Sequence, residues 1–144
     1  MLHKINIKDS EITVITGSKN DDYISLTDMV KADDNSERTN IVIQNWMRRK
    51  DTISYLGVWE QLFNPNFNCI EFESIKTSSG SNRFVLTAKE WCERTNAIGV
   101  IAKAGRYGGT YAHKDIAYHF DMCLSKAKNS IFPAQNFYTR WVRI

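Results

Sequence analysis

Ala102-Lys-Ala-Gly-Arg-Tyr-Gly-Gly-Thr-Tyr-Ala-His-Lys-Asp-Ile-Ala-Tyr-His-Phe120 sets a glycine turn directly before an amphipathic helical pattern. Around Gly105, Gly108 and Gly109 stand Lys103, Arg106, Lys114 and His113, with Tyr107 and Tyr111 between them. No Asp or Glu occurs from Arg94 to Lys114. Glycine lifts the steric limit on backbone approach, so such a turn can offer N–H groups, cations and flat aromatic faces to a polyanion. Ile98 to Lys103 and Thr110 to Ala112 are expected as hairpin arms, with a helix starting at His113 or Lys114. On that helix Ile116, Phe120, Cys123 and Leu124 share one face. A plain tight turn also needs glycines, with Arg106 and Tyr107 idle in water. The run lacks the Walker spacing and the dinucleotide fingerprint, so an enzyme's phosphate loop is a poor match.

Outward from the hairpin, Thr87-Ala-Lys-Glu90 matches a capping box opening a helix through Arg94. Before it, Cys69 to Ile75 alternates and is expected as a strand, with Arg83 to Leu86 returning after a turn over Ser78 to Asn82. Earlier still, a helix is expected from Thr39 or Asn40 to Leu56, burying Ile43, Trp46, Met47, Ile53 and Leu56. Gly57 is expected to interrupt it, and Trp59 to Phe63 adds a helical turn, ended by Asn64-Pro65. Tyr23 to Leu26 is expected as a short strand, and Thr27 as the cap of a brief helix. The first 16 residues alternate about Asp9-Ser10 as a hairpin, with a second turn over Gly17 to Asp22. The expected fold class is α+β, a small single domain of short helices and β-hairpins, winged helix-turn-helix-like. Its divisions are a hairpin extension (1–22), a core domain (23–125) and a tail (126–144) whose pattern is weak.

A second basic segment lies between Glu37 and Asp51, which has no acid inside it. Arg38, Arg48, Arg49 and Lys50 supply charge; Thr39, Asn40, Gln44 and Asn45 supply hydrogen-bonding groups. With Ile43, Trp46 and Met47 buried, Asn40, Gln44 and Arg48 recur at i, i+4 and i+8. Amides and guanidinium groups are the types that pair with adenine and guanine edges in the major groove. A solvated helix face with cations near its C-terminal end fits the same residues.

The 144 residues suffice for one core, and 42% apolar with 24% charged content is that of a soluble globular protein. A net charge of +3 is too small to argue DNA binding by itself, so the case rests on distribution. There is no long apolar run and no leader-like start, so no membrane and a cytoplasmic location are expected. Cys69, Cys92 and Cys123 are expected as buried free thiols. His119 and Cys123 stand at i, i+4 without a second ligand pair, and Asp33 to Glu37 lacks the calcium-loop spacing. Glu71 and Glu73 are expected on the wet face of the strand, and the tryptophans in the core. Tyr107 and Tyr111 are the aromatics expected to meet DNA. No catalytic constellation, metal or cofactor is expected.

Taken together, these residues resemble the KilA-N domain family of phage, large DNA-virus and prophage proteins. The resemblance covers about Tyr23 to Ser125. YISLTDMVK is similar to the family's opening strand and helix, and NWMRRKDTISYLGVWEQLFNPNFNCIEF to its central block. TAKEWCERTNAIGVIAKAGRYGGTYAHKDIAYHF is similar to its closing signature. The family resembles the fungal APSES domain, a winged helix-turn-helix variant, which implies sequence-specific binding of double-stranded DNA in regulatory or antirepressor proteins. Gly105 to Thr110 match the APSES wing, and Asn40 to Leu56 sit where a recognition helix is implied. The chain departs from its relatives after Leu124-Ser125, where they continue with Pro-Glu-Phe and another helix. By inference Gln44, Asn45 and Arg48 read bases. Arg38, Arg49, Lys50, Lys103 and Lys114 hold phosphates, and Arg106, Tyr107, Gly108 and Gly109 form the wing's contact. Capture of a repressor protein is the alternative partner, and a nucleic-acid enzyme a third option.

Overall fold

The computed structural model describes residues 2–7, 10–16, 22–32, 39–79, 81, 83–104 and 108–127. The fold is α+β, with six helices and five strands among the described residues. It divides into two compact units, Met1–Thr39 with Tyr111–Ile144, and Asn40–Thr110.

The first unit is built on antiparallel strands. β1 (Leu2–Ile7) and β2 (Ser10–Ile15) form the expected hairpin, Ile7 opposite Ser10 and Leu2 opposite Ile15. β3 (Tyr23–Ser25) pairs with β2 and, on its other side, with the end of β5 (Gly109–His113), setting Ile24 opposite Ala112. Ile12 and Val14 are buried and Thr13 half-buried, the period-2 pattern of a half-covered strand. α1 (Leu26–Ala32) packs on β2 and on α6 (Lys114–Ala127). The cap of α1 is Ser25 rather than Thr27: Asp28 N–H donates to Ser25 Oγ at 3.1 Å. Ile116, Phe120 and Leu124 of α6 are buried as expected, while Cys123 is half-buried.

The second unit is mostly helical and departs from expectation in several places. The single helix over 40–56 is instead α2 (Thr39–Met47) and α3 (Lys50–Phe63), separated by Arg48 and Arg49. All five apolar residues expected inside are buried. On one straight helix, at 100° per residue, the buried faces of 43–47 and 52–60 would lie roughly a third of a turn apart. The extended backbone of Arg49 (φ −73°, ψ 137°) re-aims the chain so both faces are covered. Gly57 does not interrupt α3 as expected; it lies within the helix, where the Phe72 ring occupies the space that a side chain would need.

The second departure is α4 (Cys69–Ser78), a helix where alternation predicts a strand. Asn68 caps it, Oδ1 accepting from Glu71 N–H at 3.1 Å, and the buried residues are Phe72 and Ile75 at i, i+3. Ile70, which alternation would pair with Phe72, stays exposed. Glu71 thus belongs to a helix and holds Arg94 at 2.8 Å across a solvent-facing gap. Phe84 and Leu86 are buried and Val85 exposed, so that segment alternates as expected, yet it forms no strand. The capping box holds: Thr87 Oγ accepts from Glu90 N–H at 3.0 Å and opens α5 (Ala88–Thr95). Phe67, Phe72 and Trp91 form an aromatic cluster with ring centroids 5.6–6.2 Å apart, which seats α4 against α5. β4 (Val100–Lys103) packs on α5 and is the first arm of the glycine hairpin, with β5 the second.

Candidate nucleic-acid interface

Burial of Ile43, Trp46 and Met47 turns the polar face of α2 outward, so Asn40, Gln44 and Asn45 are exposed. Arg48 lies one residue past α2 in the turn, half-buried; its N–H donates to Gln44 O at 3.1 Å. The row therefore consists of Asn40 and Gln44 on the helix and Arg48 beyond its end. Arg49 and Lys50 are exposed where α3 begins. Thr39 is only 7% exposed, so its side chain is withdrawn from that surface.

The Arg49 guanidinium is engaged locally. Nε and Nη2 each lie 2.9 Å from an oxygen of Asp51, a two-pronged pair open to water. A phosphate offers the same oxygen spacing to the same fork, so Asp51 occupies the geometry that a nucleic-acid backbone would take.

Beside α2 lies a cleft of about 250 Å³ within the second unit. Its walls are Asn40, Gln44 and Met47 of α2, Thr87 and Lys89 at the start of α5, and Ala102 and Thr110 of the hairpin arms. Exposed amides of the helix thus share a concavity with the hairpin. Lys103 is exposed at the end of β4, while Gly108 and Gly109 are half-buried at the return. Gly109 takes φ 144°, a value that L side chains rarely adopt, so glycine is required there. Lys114 is half-buried at the start of α6, in the first unit. Arg38, Arg106 and Tyr107 lie outside the described residues.

Tyr111 corrects the expectation placed on it. It is 4% exposed, followed by buried Ala112 and His113, so β5 is covered on both faces there. Burial and then the Asp28 charge push its phenol upward in pKa, the state of an interior tyrosine. The thiols are also corrected: none of the three is in a disulfide, but Cys69 is exposed and Cys92 and Cys123 are half-buried. His119 and Cys123 do meet on α6, Nδ1 lying 3.9 Å from Sγ.

One residue with a large geometric role was missed by sequence. Glu60, in the last turn of α3, is 0% exposed. Its Oε1 accepts from Asn64 Nδ2 at 2.9 Å and Ile98 N–H at 3.0 Å; its Oε2 accepts from Gly99 N–H at 2.7 Å. Beside it, Cys92 donates its thiol to Val100 O at 2.9 Å. Burial first, and the Glu60 charge second, push that thiol up to about 11. A signal was present, since Glu60 stands four residues after Leu56 and seven after Ile53, on the buried stripe.

Compared with family models, the chain matches the KilA-N domain over residues 5–138, a span that includes β2 and the second half of β1. Comparison with curated proteins finds no match, nor does comparison with solved structures.

Proposed function

This chain belongs to the KilA-N domain family, whose members generally bind DNA, and on that premise we propose that it reads specific sequences in double-stranded DNA. The reading is non-catalytic: a module of a phage-type regulatory or antirepressor protein, acting in the bacterial cytoplasm. The observation that carries it is the exposed amide face of α2 running into Arg48, Arg49 and Lys50. Lys103 and the first hairpin arm, β4, lie in the same compact unit as α2. In this reading Asn40, Gln44, Asn45 and Arg48 meet base edges. Arg38, Arg49, Lys50, Lys103 and Lys114 hold phosphates, and Arg106 and Tyr107 carry the wing's contact beside Gly108 and Gly109.

Selection of bound duplexes from a random pool, followed by titration across salt, tests this. Lys50→Ala with Lys103→Ala should flatten the logarithmic salt slope by about 0.9 per lost contact, for any sequence. Gln44→Ala should instead relax the selected sequence at one position, costing about 1–3 kcal/mol of discrimination. A folded double mutant with wild-type affinity and slope would remove the surface from consideration. A second reading, capture of a repressor, draws on Val58, Leu62 and Phe63, large apolar residues left exposed late in α3. Silence toward duplex at low salt, with a repressor held instead, favours it.

A further inference from the structure

We propose that Glu60 is a positioning residue for DNA binding: it fixes the root of the glycine hairpin to the helix whose other end carries Lys50. This role rests on the DNA-binding reading above. Four residues, Asn96 to Gly99, connect α5 to β4. Ile98 and Gly99 direct their N–H groups to Glu60, and the buried carboxylate accepts both. A second bond from Ile98 N–H reaches Oε2 at 3.2 Å, so both oxygens accept from the backbone. Asn64 Nδ2 bridges Oε1 and Asn96 O, the latter at 2.9 Å. Asn96 takes a left-handed backbone (φ 58°) and donates its own amide to Asn66 O at 3.0 Å. The chain thus enters β4 from a point held by side-chain and backbone bonds to α3 and to the loop after it.

The consequence follows from distance. Glu60 stands ten residues after Lys50 on α3, so about 15 Å along the helix axis separates Lys50 from the point that holds the hairpin root. Both exposed lysines, Lys50 and Lys103, are then referenced to one rigid helix. Simultaneous contact with a rigid duplex requires that spacing to be kept. Glutamine is nearly the same size as glutamate, but its amide nitrogen would face a backbone N–H with no acceptor. Glu60→Gln therefore loosens the hairpin while leaving the volume filled.

A double-mutant cycle on duplex binding tests the role. In wild-type background Lys50→Ala and Lys103→Ala should each weaken binding. In the Glu60→Gln background the effect of Lys103→Ala should shrink by roughly fivefold, while that of Lys50→Ala persists. A merely structural loss would scale both effects alike, and that outcome overturns the proposal. So does a folded Glu60→Gln chain whose Lys103→Ala effect is undiminished. Should Glu60→Gln fail to fold, Asn64→Ala removes one donor from the same carboxylate and enters the same cycle with the same expected asymmetry. A wild type silent toward duplex at low salt instead overturns the DNA reading itself, and this role with it.

Discussion

The two ends of α3 handle carboxylates in opposite ways. At the N-terminal end Asp51 meets Arg49 in water, with both side chains about half exposed. At the C-terminal end Glu60 is wholly buried and bound by an amide and two backbone N–H groups. An exposed ion pair exchanges readily with solvent and contributes little to stability. A buried acceptor cannot be lost without stranding its donors. The same helix therefore carries an adaptable contact at one end and a fixed one at the other. The largest expected effect tests the fixed end: Glu60→Ala should cost about 3 kcal/mol in urea unfolding, because the buried Gly99 N–H and the part-buried Ile98 N–H lose their acceptor together. A cost below about 1 kcal/mol would mean that water replaces the carboxylate, and the contrast between the ends would vanish.

The next test uses pH at the same fixed end. The folded state holds the Cys92 proton up to about 11, against an ordinary thiol value of 9.0. Between those values the unfolded chain releases a proton that the folded chain keeps. Stability is therefore at its full value below that window and falls as pH rises through it. Two pH units correspond to at most about 2.7 kcal/mol, and partial solvent access at Cys92 brings this to the order of 1 kcal/mol. Cys92→Ala also removes the thiol bond to Val100, a constant offset, so the slope of unfolding free energy between about pH 9 and pH 11 is the quantity to compare. An identical slope in both chains would show that the thiol does not sense its buried neighbour.

The same contrast explains which parts of the molecule were legible in sequence. Local devices read well. The pairing of Ile7 with Ser10, the Thr87–Glu90 box and the spacing of Ile116, Phe120 and Leu124 each declare themselves within a few residues. Two helices failed to declare themselves for opposite reasons. Cys69 to Ile75 alternates in polarity, and only the Asn68 cap reveals a helix. Thr39 to Leu56 reads as one helix interrupted at Gly57, whereas the break at Arg48 and Arg49 follows from the need to bury two faces that a straight helix would splay apart. In the candidate interface, α2's exposed amides were legible because their neighbours are apolar. The interior place of Tyr111 depends on β3 lying alongside β5, a pairing distant in sequence. Glu60 was illegible as a function because its partners, Ile98 and Gly99, offer only backbone.

The smallest effect on stability, and the most direct probe of the adaptable end, is Asp51→Asn. The pair is solvent-open on both sides, so unfolding free energy should move by no more than about 0.5 kcal/mol. Binding should move more. Asp51 holds both prongs of the Arg49 fork in the arrangement a phosphate would adopt, so the free protein must exchange one partner for the other. Removing the carboxylate charge eliminates that competition and a local repulsion of the DNA backbone. Affinity for duplex at low salt should therefore rise by roughly three- to tenfold. Arg49→Ala in the Asp51→Asn background should abolish the gain, since the gain runs through the guanidinium. An affinity that falls on Asp51→Asn would reverse the assignment: Asp51 would then be the group that holds Arg49 in its binding posture, and this end of α3 would be as fixed as the other.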